Sequence, residues 1–88
     1  MKIRRSHNLG REEARVRADR IAADLHQQFS LRSNWQGDAL HVKGNGVKGM
    51  LRVDESHLEL DVSLSFALKL MEGPIRSAIE TTIDEELA

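Results

Sequence analysis

The fold is decided by residues 31–64, LRSNWQGDALHVKGNGVKGMLRVDESHLELDVSL. Apolar and polar residues alternate through most of this stretch, which is the pattern of β-strands with one buried face. Three turn signals divide it into four strands. Gly37-Asp38 suits a two-residue type II′ turn, and Asn45-Gly46 suits a type I′ turn. Asp54–His57 provides a four-residue loop before the last strand.

These turns fix how the strands pair. The first turn pairs Trp35 with Leu40. The second pairs Leu40 with Leu51, and the third pairs Leu51 with Leu60. The three registers agree because each places apolar residues on the same face. The predicted inward face carries Leu31, Trp35, Leu40, Val42, Val47, Leu51, Val53, Leu58, Leu60, Val62 and Leu64. The predicted solvent face carries Arg32, Asn34, His41, Lys43, Lys48, Met50, Arg52, Glu59 and Asp61.

Helical patterns flank this region on both sides. Residues Gly10–Phe29 repeat apolar side chains at helical spacing, and Lys2–His7 favours a short preceding strand. The segment Ser65–Leu87 is predicted to be a helix broken at Gly73-Pro74, with Pro74 opening the second piece. The stripe of that second piece is Ile75, Ala78, Ile79, Ile83 and Leu87.

We therefore expect one α+β domain spanning residues 1–88. Its sheet is a four-stranded antiparallel meander, to which a short N-terminal fifth strand can be added. The N-terminal helix and the Gly-Pro-broken C-terminal helix pack on one face. The three aromatic residues, Phe29, Trp35 and Phe66, are predicted to point inward. Without an exposed aromatic, the solvent face offers no stacking surface for bases, so no nucleic-acid partner is expected.

Composition restricts the environment and the partners. The chain has 88 residues and no cysteine, so neither a disulfide nor a thiolate metal site can support its core. No apolar run approaches the roughly 20 residues of a transmembrane helix. The basic start has no apolar stretch after it, so no signal peptide is expected and a cytoplasmic location is predicted.

Charge is unevenly distributed along the chain. The net charge is −1, but residues 1–29 and residues 30–53 each carry +3 whereas residues 54–88 carry −7. Two interpretations remain open. The basic and acidic segments face each other within the fold or across a homodimer, or the basic segments form a surface for an anionic partner.

Few residues suggest catalytic or metal chemistry. The four histidines lack metal-ligand spacing, and no serine or threonine lies in a nucleophile motif. We therefore expect no enzyme activity, catalytic residue, metal or cofactor. His7 stands out because the predicted first strand places it at the edge of the core, where it is either a hydrogen-bonded structural residue or a polar site.

Residues Phe66–Met71, FALKLM, form an apolar segment in which five of six side chains are apolar. That is more than one buried stripe needs. Either Phe66, Leu68, Leu70 and Met71 form an exposed docking or dimer surface, or the segment is buried on two sides.

The order of several motifs resembles the family of putative polyhydroxyalkanoic acid system proteins. The motifs are Ile3–Gly10 (IRRSHNLG), Glu13–Arg15 (EAR), Trp35–Asp38 (WQGD), Gly46–Gly49 (GVKG) and the amphipathic end Leu64–Leu87. The resemblance implies a role near polyhydroxyalkanoate storage granules and brings no catalytic residue.

Two functions follow as expectations. The first is a non-catalytic accessory protein that binds the granule surface, a granule protein or a second copy of itself, in the cytoplasm or at the granule. The alternative is a small binding module that holds an apolar or acyl ligand between the helices and the sheet.

Overall fold

The computed structural model describes residues 1–88 and has the expected α+β architecture. Its elements are β1 (Lys2–Ser6), α1 (Gly10–Phe29), β2 (Arg32–Gln36), β3 (Ala39–Gly44), β4 (Val47–Val53), β5 (His57–Leu64), α2 (Phe66–Lys69) and α3 (Glu72–Leu87). All five strands form one antiparallel sheet in the order β1-β5-β4-β3-β2. The short N-terminal strand is therefore present, and it lies beside the last strand of the meander.

The predicted registers are confirmed. Trp35 lies opposite Leu40, Leu40 opposite Leu51, and Leu51 opposite Leu60. The added strand places Ile3 opposite Leu60, which extends the inward face to β1. A one-residue slip in any strand would have moved its apolar side chains to the solvent face.

The core lies between this inward face and the helices. Its buried residues are Ile3, Ala14, Ala18, Ile21, Ala22, Leu25, Leu31, Leu40, Leu51, Val53, Leu58, Leu60, Val62, Ile79 and Ile83. Helix α1 supplies a third of them through its i, i+4, i+7 stripe, and it packs on both the sheet and α3. Each fully buried aliphatic side chain contributes about 1.5–3 kcal/mol, so this cluster supplies most of the driving force for folding.

One of the predicted turn types is wrong. The turn at Gly37-Asp38 has the predicted pattern, because a type II′ turn requires a positive φ at its first central residue only, and Gly37 has a φ of +62° whereas Asp38 has no positive φ. The turn at Asn45-Gly46 differs from the prediction. Of Asn45 and Gly46, only Gly46 has a positive φ, at +81°, which is the pattern of a type II turn rather than type I′. The Gly46 carbonyl oxygen accepts a hydrogen bond from the Ser65 backbone N–H at 2.8 Å, which joins this turn to the residue after β5.

The break in the C-terminal helix also lies earlier than predicted. It falls at Leu70-Met71, and Gly73-Pro74 lies inside the first turn of α3. Proline is tolerated there because the first backbone N–H groups of a helix have no acceptor within it. The backbone hydrogen bonds of α3 begin after Pro74, where the Ile75 N–H donates to the Met71 carbonyl oxygen at 3.0 Å.

Basic and acidic segments do face each other within the fold. Arg5 Nε donates to Asp84 Oδ1 at 2.7 Å, and Arg5 Nη2 lies 3.6 Å from Glu80 Oε2. The hydrogen bond to Asp84 raises the pKa of Arg5 further above its ordinary value. Helix α3 is thereby linked to β1, although the pair is partly exposed and contributes little energy.

Candidate functional site

The apolar segment lies on the surface. Phe66 is 86% exposed, Leu70 87% and Met71 55%, whereas Leu68 is half-buried. The prediction that Phe66 points inward is therefore wrong, while Trp35 and Phe29 do pack against the core. Of the two alternatives for this segment, the structure has the exposed one.

A single helical turn explains this exposure. Helix α2 has four residues and contacts β5, so only one of its sides is covered. Leu68 takes that side, where its Cδ1 lies close to Gly46. Phe66 and Leu70 are two residues away in either direction, and about 200° of helical rotation turns them outward. Three large apolar side chains are consequently left unpartnered.

Two hydrogen bonds hold the segment at its N-terminal side. The Ser65 N–H bonds the Gly46 carbonyl oxygen at 2.8 Å, and Ser65 Oγ accepts a hydrogen bond from the Leu68 N–H at 3.4 Å. A Cβ atom added at Gly46 would lie 2.9 Å from both Leu68 Cδ1 and Ser65 Oγ. A side chain at residue 46 would therefore require Leu68 and Ser65 to move away from the turn.

His7 is buried, with 8% of its surface exposed. Its Nδ1 accepts a hydrogen bond from the Leu9 N–H at 3.2 Å, and its own backbone N–H donates to the Ser56 carbonyl oxygen at 2.9 Å. The proton of a neutral ring then lies on Nε2, which has no partner. The first contact joins the end of β1 to the start of α1, and the second joins it to the loop between β4 and β5.

The loop after β4 brings together a serine, a histidine and an aspartate that sequence spacing did not single out. Ser56 Oγ lies 3.0 Å from His57 Nδ1, and Asp54 Oδ1 lies 3.6 Å from the same nitrogen. In a catalytic triad the nucleophile and the acid contact opposite ring nitrogens. This geometry is instead that of a hydrogen-bonded loop, in which Asp54 accepts the N–H groups of Ser56 and His57. The only sequence signal is the D-x-S-H order.

The concave surfaces are open to solvent rather than enclosed. A depression of about 290 Å³ on the solvent face is lined by His41, Lys48, Gly49, Met50, Arg52, Glu59, Asp61 and Ser63. A wide groove of about 610 Å³ runs between α1 and β2, and five of its eight lining residues are polar or charged. The space beneath the helices is filled by the core cluster. None of these features resembles an enclosed apolar pocket for an acyl chain.

The structure has no cluster of metal-binding side chains. The histidines do not converge, and no three or more His, Asp or Glu side chains are placed to hold a metal ion. His26, for example, lies near the end of α1 with Nδ1 3.0 Å from the Leu31 carbonyl oxygen. No helix of the structure has both the length and the apolar character needed to cross a bilayer.

Comparison with known proteins gives one match. The family model described as "putative polyhydroxyalkanoic acid system protein" matches residues 1–87. No curated protein and no solved structure matches the chain.

Proposed function

Because the chain belongs to the family of putative polyhydroxyalkanoic acid system proteins, we propose that it is a non-catalytic accessory protein of polyhydroxyalkanoate storage. It acts in the cytoplasm by docking on the polyester granule. The observation that carries this proposal is the joint exposure of Phe66, Leu70 and Met71 on a segment held in place by the fold.

The size of the apolar segment fits reversible attachment. Burying a phenylalanine, leucine or methionine side chain contributes about 1.5–3 kcal/mol, so the three together offer roughly 5 kcal/mol or more. A free energy of that order corresponds to dissociation constants well above the nanomolar range. The protein would therefore exchange between the granule and the surrounding solution.

The test is co-sedimentation with purified polyester particles. The double variant F66D/L70D should lose most of its co-sedimentation, because two charged groups would have to leave water. Both positions are exposed, so the fold should survive, which circular dichroism can verify. Leu68 is unsuitable for this test because it packs against the Gly46 turn.

Val16 provides the matched control. It is an apolar side chain on α1, 43% exposed and outside the apolar segment. V16D should therefore co-sediment like the native protein. If F66D/L70D co-sediments as well as the native protein and V16D, the docking proposal is wrong. If instead F66D/L70D only converts a dimer to a monomer in size-exclusion chromatography, the apolar segment binds a second copy of the chain and does not bind the granule.

A further inference from the structure

A row of three cations crosses the solvent face of the sheet. Arg32 on β2 lies opposite Lys43 on β3, and Lys43 lies opposite Lys48 on β4. Ser63 on β5 completes the row without adding a charge. Directly opposed side chains have Cβ atoms about 4.5–5.5 Å apart, so these like charges repel one another. We call Arg32, Lys43 and Lys48 the cation row.

The cation row is not neutralised within the fold. All three side chains are exposed, and none lies within 4.0 Å of a carboxylate. Acidic residues of the same face lie in other rows. Glu59 lies opposite both Arg4 and Arg52, and Asp61 lies opposite Lys2. Lys48 has Asp61 only as a diagonal neighbour. A repulsive arrangement that no internal contact offsets points to an external anion.

The cation row lies at the end of the sheet where the apolar segment begins. Lys43 and Lys48 flank the β3–β4 turn. Gly46 in that turn bonds Ser65, and Ser65 immediately precedes Phe66. One end of the molecule thus carries both unpartnered apolar side chains and uncompensated positive charge.

We propose that this end binds a lipid surface that carries anionic headgroups. The cation row contacts the headgroups, and Phe66, Leu70 and Met71 enter the apolar layer beneath them. Apolar burial together with cationic attraction is the chemistry by which proteins bind anionic interfaces. The proposal rests on the docking function proposed above and names the chemistry of the surface that is docked.

A nucleic acid fits these observations less well. Proteins that bind single strands stack bases on exposed aromatic side chains, and the solvent face has none. Trp35 and Phe29 pack against the core, and Phe66 lies on α2. A lipid surface uses both features of this end of the molecule, whereas a nucleic acid would leave the apolar segment in water.

The test is co-sedimentation with vesicles of phosphatidylcholine alone and of equal parts phosphatidylcholine and phosphatidylglycerol. The native protein should bind the anionic vesicles more tightly, and added salt should reduce that preference. Each cation near an anionic surface contributes about a fivefold gain in affinity, so K43Q/K48Q should bind the anionic vesicles about 25-fold more weakly. F66D/L70D should lose binding to both kinds of vesicle.

The matched control removes the same charge from α1. Arg11 and Arg20 are exposed on that helix, and R11Q/R20Q should keep the native preference for anionic vesicles. An equal loss in both double variants would overturn the proposal, because only net charge would then matter. Equal binding of the native protein to neutral and anionic vesicles, or tighter binding to single-stranded DNA, would also overturn it.

The outcome can be separated from that of the granule experiment. If native protein docks on bare polyester through Phe66 and Leu70 but ignores anionic vesicles, this inference fails and the proposed function stands. If it binds anionic vesicles through the cation row but not polyester particles, the docking function fails and the lipid chemistry stands.

Discussion

The backbone N–H of Ser65 donates a hydrogen bond to the carbonyl oxygen of Gly46 at 2.8 Å, which fastens the apolar segment to the β3–β4 turn. The two residues are distant in sequence, and glycine at residue 46 leaves room beside the turn for the side chains of Leu68 and Ser65. A Cβ there would approach Leu68 and Ser65 to 2.9 Å. The proposed docking segment is thus joined to a glycine of a neighbouring hairpin and packs closely beside it.

The variant Gly46→Ala tests this dependence. It places a Cβ at a left-handed φ of +81°, which costs about 1–3 kcal/mol, and it also requires the ends of the Leu68 and Ser65 side chains to shift. Gly37→Ala is the matched control, because Gly37 has a φ of +62° and a Cβ added there would have no neighbour within 4 Å. We expect chemical denaturation to show a larger loss of unfolding free energy for Gly46→Ala. Equal losses in the two variants would mean that the contact with Leu68 and Ser65 has no energetic role.

The residues of the apolar segment should differ in their effect on stability. Phe66→Ser and Leu70→Ser remove exposed side chains, so each should change the unfolding free energy by no more than about 0.5 kcal/mol. Leu68→Ser removes the side chain that packs on the turn and should cost at least about 1 kcal/mol. Thermal or urea unfolding of the three variants decides the point. A large loss for Leu70→Ser would show that this residue is packed rather than exposed.

The sheet could be predicted from the sequence because its signals are redundant. The pairings of Trp35 with Leu40 and of Leu51 with Leu60 follow both from turn length and from the alternation of apolar residues. Both signals are local in the sequence, and each by itself predicts the same face of the sheet for these side chains. The turn at Asn45-Gly46 also bonds a partner 19 residues away, Ser65, and no local signal in the sequence indicates that contact.

The candidate site was less predictable because exposure depends on neighbours. The sequence shows an excess of apolar residues in Phe66–Met71 but not which side of α2 the sheet covers. Leu68 and Leu70 are equivalent in the sequence pattern, and the contact of Leu68 with Gly46 distinguishes them in the structure. The cation row is in the predicted list of solvent-facing residues, and the confirmed registers place Ser63 opposite Lys48. The structure adds that no carboxylate lies within 4.0 Å of these three cations, which depends on side-chain positions that the sequence does not give.

Thr82 is a buried residue that the apolar stripe of α3 did not include. Its Oγ1 donates to the Ala78 carbonyl oxygen at 3.0 Å and accepts from Gln28 Nε2 at 2.9 Å, which joins α3 to α1. Thr82→Val should therefore cost about 1 kcal/mol, since it leaves the Gln28 amide without its partner. Thr81→Val at the exposed neighbouring position is the control and should be nearly neutral. Equal unfolding free energies for the two variants would contradict a role for this hydrogen bond.

The loop after β4 should make stability depend on acidic pH. Asp54 Oδ1 accepts hydrogen bonds from the backbone N–H groups of Ser56 at 2.9 Å and His57 at 2.7 Å. These bonds favour the carboxylate and lower the pKa of Asp54 below its ordinary 3.8, with smaller help from the positive charge of His57. The folded state then binds this proton less tightly than the unfolded chain does. The resulting stabilisation is complete above pH 3.8 and is lost as the pH falls through the folded-state pKa.

Asp54→Asn keeps an oxygen acceptor in this loop but removes the charge that strengthens both hydrogen bonds. At neutral pH the native protein should be more stable than the variant, and the difference should shrink as the pH falls below 3.8. Urea unfolding at a series of pH values measures that difference, and NMR titration of the Asp54 carboxyl gives its pKa directly. A carboxyl that titrates at or above 3.8 would show that the two N–H groups do not stabilise its charge, and the structural interpretation of this Ser-His-Asp cluster would lose its basis.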